Sequence, residues 1–165
     1  MITTKTKALS LRIAAGTTLH VSEDFVTNRH FALRPEVFHV LNLKKVELNK
    51  LPRAYNVNRA GAIGWDYGSS LTLEKVEHVF ARAYDEEYED CVPVGVATDD
   101  RKGETFSTLS GKKATISERY SALFHRLASL IDGKWQINTA SELKALRFVL
   151  NGKTVALLMP VKGPK

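Results

Sequence analysis

The sequence predicts an α+β fold, in which a mostly antiparallel sheet is combined with two main helices. Asn151-Gly152 separates two β-rich runs, and both residues tolerate the positive φ of a tight type I′ turn, so the chain should end in a β-hairpin. Two other segments place apolar residues at helical spacing. Strands and helices alternate irregularly, which favours α+β over a doubly wound sheet. A chain of 165 residues is expected to form a single domain, 1–165.

The first sixty residues are predicted to form mainly strands. Leu9, Leu11 and Ile13 alternate with polar neighbours, and Gly16 turns the chain. Segment 37–48 fits either a short helix or a pair of strands. Segment 56–70 holds three glycines and several turn-forming residues, and is predicted to be a long loop.

The two helices have clearer signals. The first should begin near Ser70 or Thr72 and end before the acidic run 85–90, because negative charge at a helix C-terminus opposes the helix dipole. Its apolar stripe is Leu73, Val76, Val79, Phe80, Ala83 and Tyr84. The second helix should open with a capping box, Thr115 to Glu118, and stop at Gly133. Its stripe is Tyr120, Leu123, Phe124, Leu127, Leu130 and Ile131.

The charge is divided unevenly along the chain. The net charge is +6 overall, but residues 1–65 carry +6, residues 66–100 carry −8 and residues 101–165 carry +8. Basic flanks of this kind attract phosphate backbones through counterion release, so DNA is a candidate partner. Many small basic proteins bind no nucleic acid, and no motif decides between the two interpretations.

No pattern in the sequence indicates an enzyme, a cofactor or a metal site. The five histidines lack a ligand spacing, and the glycines of segment 56–70 lack the GK[ST] sequence of a phosphate loop. Cys91 lies in a predicted strand, 91–97, where a buried thiol is expected rather than a nucleophile. No apolar run is long enough to cross a bilayer and no secretory signal is visible, so the expected location is cytoplasmic.

Three aromatic residues near the predicted loop are difficult to assign to a core. Tyr55, Trp65 and Tyr67 are predicted to form an interaction surface, either for stacking bases or for docking a partner. The alternative is that the loop folds back and buries an aromatic ring.

The C-terminal end resembles that of a bacterial-type DNA polymerase sliding clamp, the β subunit. The segments that carry the likeness are residues 114–162, above all Leu157-Leu158-Met159-Pro160-Val161-Lys162, and Val26-Thr27-Asn28-Arg29-His30-Phe31-Ala32-Leu33. The second is similar to the clamp segment Ala-Thr-Asp-Gly-His-Arg-Leu, with Asn28-Arg29 in place of Asp-Gly. The clamp-like part of the chain spans about 91–162. In clamps the two segments face each other and build a hydrophobic pocket for a partner peptide.

The resemblance implies a non-enzymatic protein of DNA metabolism that binds partner peptides, DNA backbone or both. The implied peptide site is lined by Thr27, His30, Leu33, Met159, Pro160, Val161 and Lys162. A sliding clamp is a ring, and a ring would need several copies of so short a chain. A homo-oligomer is therefore one expectation. The alternative function is a small phage or plasmid interaction protein that blocks a host protein, such as a host-defence factor. The partner is accordingly expected to be a replication or host-defence protein.

Overall fold

The computed structural model of the protein describes residues 8–96, 103–141 and 143–161. These ranges contain two α-helices, α1 (Leu73–Asp85) and α2 (Glu118–Leu130), together with 3-10 helices at Leu11–Ala14 and Pro35–Val40. The strands are β1 (Thr18–Val21), β2 (Val26–Thr27), β3 (Phe31–Leu33), β4 (Arg53–Val57), β5 (Ile63–Gly68), β6 (Tyr88–Val96), β7 (Gly103–Thr108), β8 (Lys113–Ser117), β9 (Lys134–Asn138), β10 (Leu146–Leu150) and β11 (Lys153–Leu158).

All eleven strands belong to one antiparallel sheet, which confirms the predicted α+β class. Their order is β5-β4-β1-β2-β3-β11-β10-β9-β6-β7-β8. Each α-helix is followed by a three-stranded meander, and the two meanders join where β6 pairs with β9. Beyond β11 the chain reaches β8, where the Val161 amide donates to the Thr115 carbonyl at 2.8 Å. One bridge therefore links the chain beyond β11 to β8, the strand at one end of the sheet, and β5 lies at the other end.

The final hairpin forms as predicted. Asn151 has φ 51° and Gly152 has φ 78°, as a type I′ turn requires. The hairpin places β11 beside β3, with Leu157 opposite Ala32 and Ala156 opposite Leu33. Because side chains alternate along a strand, Ala156 and Leu33 point to one face of the sheet while Leu157 and Ala32 point to the other.

The two faces carry separate cores. The larger core contains Leu33, Ala156 and the buried side of α2, where Tyr120, Leu123, Phe124 and Leu127 are buried. The smaller core packs Val76, Phe80 and Ala83 of α1 against Leu157 and Phe25. The helices thus cover opposite faces of the sheet.

Both helices depart slightly from their predicted apolar stripes and ends. In α1 the stripe residues Leu73 and Val79 are exposed, and the Tyr84 side chain lies outside the described part. Helix α1 starts after Thr72, whose hydroxyl accepts from the Lys75 amide, as predicted; it ends at Asp85, the first residue of the acidic run, rather than before that run. In α2 the residue Leu130 is exposed and the helix ends there, before Gly133. The predicted capping box is wrong, because Thr115 belongs to β8 and Ser117 is the N-cap residue.

Two predictions for the N-terminal half are wrong. Leu11 to Ala14 form a 3-10 helix rather than a strand, because Ser10 caps the turn and the residues Leu11, Ile13 and Ala14 are all buried. Segment 56–70 is not a long loop, since it contains the end of β4 and all of β5. Asn58 tightens the connection by accepting from the Ala60 and Ala62 amides. The ambiguous segment 37–48 begins within the second 3-10 helix.

Candidate functional site

The C-terminal end of β11 lies directly beside the turn that contains His30. The Met159 amide donates to the His30 carbonyl at 2.8 Å, one residue beyond the pairing of Leu158 with Phe31. Two segments that are more than a hundred residues apart in the sequence therefore share one ladder. The juxtaposition that the resemblance implies is present.

The turn before β3 is held by its own side chains. The Asn28 Oδ1 accepts from the His30 amide at 2.9 Å and from the Phe31 amide at 3.0 Å. The Asn28 Nδ2 donates to the Tyr120 hydroxyl at 2.9 Å, which ties the turn to α2. The Thr27 hydroxyl donates to the Phe31 carbonyl at 2.5 Å. Arg29 adopts φ 75°, the left-handed conformation that glycine accepts most readily.

A groove runs between α1 and this part of the sheet. It consists of two adjoining cavities, of about 280 Å³ and about 220 Å³, which share Val79, Ala145, Leu157 and Met159. The first extends to Thr27, His30, Leu71 and Val76, and the second to Ala83, Tyr88 and Leu143. Each cavity is smaller than the ~300–1,000 Å³ of a typical small-molecule site, so each suits one or two side chains rather than a cofactor.

Exposed apolar side chains line the groove and cationic side chains surround it. Val79 is 51% exposed and Met159 is 41% exposed, although each faces an apolar cavity. Arg29 and Lys75 border the first cavity, and Arg82 and Lys144 border the second. Glu86 also borders the second cavity, but its carboxylate is 2.7 Å from the Lys144 ammonium, which holds the pKa of Glu86 below its ordinary value.

Two arginines fix α1 as the wall of the groove. The Arg34 guanidinium lies 4.1 Å from the centre of the Phe80 ring and donates to both Glu77 carboxylate oxygens, at 2.5 and 3.0 Å. The Arg147 guanidinium lies 4.1 Å from the Tyr88 ring and donates to the Ala83 carbonyl at 2.8 Å. The Arg147 cation lies at the C-terminal end of α1, where a positive charge interacts favourably with the helix dipole.

The predicted peptide-site residues are only partly brought together. Thr27, His30 and Met159 line the first cavity. Leu33 does not, because it alternates to the opposite face of β3 and is fully buried in the larger core. Pro160 and Val161 lead away from the groove towards β8. Lys162 lies outside the described residues.

Sequence reasoning missed the helical wall of the groove. On α1, Val79 faces both cavities and Lys75 borders the first; on the sheet side, Leu157 of β11 and Ala145, just before β10, face both cavities and were missed as well. The available signal was Val79, which follows Val76 and precedes Phe80. Val76 and Phe80, four residues apart, already lie on the buried stripe of α1, so Val79 beside Phe80 is an additional apolar side chain.

The predicted aromatic interaction surface is partly present. The Trp65 and Tyr67 rings contact each other, with centroids 4.7 Å apart, and Trp65 is 60% exposed on the end strand β5. Tyr55 is buried in β4, and its hydroxyl accepts from the Glu47 amide at 3.2 Å. It was grouped wrongly with the other two, because Tyr55 lies within β4 and its side chain belongs to the larger core.

Other reactive groups of the described residues lie apart from the groove. Burial, with a smaller contribution from Asp90, raises the pKa of the free Cys91 thiol to about 12. Within 8–96, 103–141 and 143–161, no three His, Cys, Asp or Glu side chains are placed to hold a metal ion. In the same ranges, no helix combines the length and the apolar character needed to span a membrane.

Comparisons with known proteins give no relative: no family model, no curated protein and no solved structure matches this chain.

Proposed function

We propose that this protein is a non-enzymatic, clamp-like protein of DNA metabolism that binds a short peptide of a partner protein in the groove between α1 and β11. The observation that carries the proposal is the hydrogen bond from Met159 to His30, which places the two segments of the clamp resemblance side by side on the sheet wall of the apolar groove. The departure at Arg29 is compatible with it, because Arg29 has the backbone conformation of a glycine.

The shape and charge of the groove favour an extended peptide with two apolar anchors. Two side-chain-sized cavities meet at Met159, whose flexible thioether adapts to different ligands. Four cationic side chains border the groove against one carboxylate, Glu86, and this excess of positive charge favours acidic residues beside the anchors. The proposed partners are therefore replication or repair proteins that carry a short acidic segment with leucine or phenylalanine anchors.

The test is fluorescence anisotropy with a labelled clamp-binding peptide from a bacterial DNA polymerase. Met159→Ala removes the side chain shared by both cavities, and we expect a loss of about 2 kcal/mol, or about 30-fold in Kd. Val79→Ser should weaken binding in the same direction. Both side chains are exposed in the free protein, so the melting temperature should stay nearly constant.

Leu109→Ala is the matched control, since Leu109 is an exposed apolar side chain that lines neither cavity. It should leave the affinity unchanged. If the parent protein does not bind the peptide, or if Met159→Ala and Leu109→Ala have the same affinity, the proposal is wrong.

A second candidate function rests on the exposed Trp65–Tyr67 pair. Aromatic side chains of this kind often anchor protein interfaces, and β5 lies at an end of the sheet, where a partner strand can pair. This favours a phage or plasmid protein that binds a host protein. Pull-down from a host lysate with Trp65→Ala and Met159→Ala separates the two: the first variant would lose a host-defence partner, and the second would lose a replication partner.

A further inference from the structure

Three arginines from distant parts of the chain border one open concavity on the side of the molecule where α2 begins. Arg12 belongs to the first 3-10 helix, Arg59 to the connection between β4 and β5, and Arg119 to the first turn of α2. All three side chains are exposed, and the concavity has a volume of about 910 Å³. It shares no lining residue with the two cavities of the peptide groove.

Close contacts join the three elements that carry these arginines. Gly61 sits so near the first 3-10 helix that a Cβ there would lie 2.8 Å from the Arg12 nitrogen, so the connection 58–62 packs directly on that helix. The Gly16 amide donates to the Val57 carbonyl at 2.8 Å. The Arg119 guanidinium donates to the Ala15 carbonyl at 2.8 Å, which joins α2 to the same turn.

The local electrostatics favour an anion. Arg119 lies at the positive end of the α2 dipole, where a cation is unfavourable, and Ser117 makes no side-chain capping hydrogen bond. Glu118 offsets one of the three positive charges and leaves an excess of two. Like charges gathered at a helix N-terminus become favourable when a negatively charged ligand lies between them.

The lining distinguishes a phosphate backbone from a protein partner. Protein interfaces depend on exposed apolar or aromatic anchors, but the remaining side chains here are small or polar, or buried as in Ile13. All three cations are arginines, whose planar guanidinium matches two phosphate oxygens at once. From these observations we infer that the concavity formed by Arg12, Arg59 and Arg119 binds the phosphate backbone of a nucleic acid.

The inference stands independently of the peptide groove and is tested by the salt dependence of oligonucleotide binding. The probe is a labelled oligothymidylate of about 20 nucleotides, longer than the ~4–16 nucleotides that one binding groove usually covers. The triple variant Arg12→Gln, Arg59→Gln and Arg119→Gln should bind at least about tenfold more weakly. Its slope of log K against log salt should be shallower by about 2, because each phosphate contact contributes about −0.7.

The control variant has the same change in net charge at another place. Lys44→Gln, Lys45→Gln and Lys50→Gln also removes three exposed cations, none of which borders the concavity. Its slope should change by less than about 1. Equal losses in the two triple variants would show diffuse attraction by net charge and would overturn the inference, as would the absence of binding by the parent protein.

A gain of affinity gives a readout that unfolding does not imitate. Glu118→Gln removes the one carboxylate of the concavity and should tighten oligothymidylate binding by about threefold. Unchanged or weaker binding by this variant would contradict the site. Met159→Ala should leave oligonucleotide binding unaltered, so failure of the peptide groove and failure of this site are distinguishable.

Discussion

Replacing Arg29 with glycine should stabilise the protein, although it removes a whole side chain. Arg29 has φ 75°, and this conformation costs an L-residue with a Cβ about 1–2 kcal/mol. Glycine avoids that cost, but it increases the conformational entropy of the unfolded chain, which lowers the free energy of unfolding by about 0.4–1 kcal/mol. The expected net gain is about 1 kcal/mol in the free energy of unfolding, or a rise of about 2–4 °C in melting temperature for a chain of this size.

The assay is thermal and urea unfolding followed by circular dichroism, with Arg29→Ala as the matched control. Alanine also removes the charged side chain but keeps the Cβ and therefore the strain, so its unfolding free energy should stay within about 0.5 kcal/mol of the parent. A pH near 7.5 keeps His20 neutral, so that the loss of the Arg29 charge has little effect on it. If Arg29→Gly is no more stable than Arg29→Ala, the turn does not hold a glycine-like residue and the comparison with clamps loses this support.

Three further predictions concern stability and reactivity away from the groove. Burial, with a smaller effect of Arg29, lowers the pKa of His20 below 6.5, so the unfolded chain binds the proton more readily than the folded chain. The free energy of unfolding should therefore fall as the pH decreases below about 6.5. Urea titrations at several pH values should show a smaller fall for His20→Gln than for the parent protein. Gly61→Ala should destabilise the fold by about 1–3 kcal/mol, because the new Cβ would clash with the Arg12 backbone and the φ of Gly61 is +82°. A melting temperature equal to that of the parent protein would contradict the close packing. The Cys91 thiol, with its pKa raised to about 12, should react slowly with Ellman's reagent at neutral pH and quickly in guanidinium chloride, whereas rapid reaction of the folded protein would show that the thiol is accessible.

The parts of the fold that the sequence predicts well are those in which local chemistry decides the conformation. Asn151-Gly152 requires a turn with positive φ, and the turn forms. Thr72 before an apolar helical pattern marks the start of α1, because a threonine hydroxyl satisfies a free amide of the first turn. These signals lie within a few residues of the structure that they determine.

The errors arise where contacts that are distant in the sequence decide. Glycines 64 and 68 suggested a loop, but pairing with β4 forms β5 in spite of them. Leu11 and Ile13 alternate as in a strand, yet no strand in the described part of the chain pairs with them, and Ser10 caps a helical turn instead. Leu33 shares a segment with His30, but the period of two along β3 turns it to the opposite face of the sheet.

The candidate groove likewise has one side that the sequence partly predicts and one side that depends on contacts distant in the sequence. Only part of its strand side, Thr27, His30 and Met159, was among the residues that the resemblance implied. Its helix side was not, because the position of α1 depends on Arg34 and Arg147, which reach it from the sheet. The arginine concavity likewise joins three elements that no local pattern connects.

The central claim is that the end of β11, the turn at His30 and one face of α1 form a single peptide-binding groove. The most direct measurement is a titration of the isotopically labelled protein with the polymerase peptide, followed by NMR of backbone amides and methyl groups. We expect the largest shifts at Met159, His30, Leu157 and Val79, with little change at Trp65. Shifts concentrated around Trp65 and Tyr67, or no shifts at saturating peptide, would contradict the account.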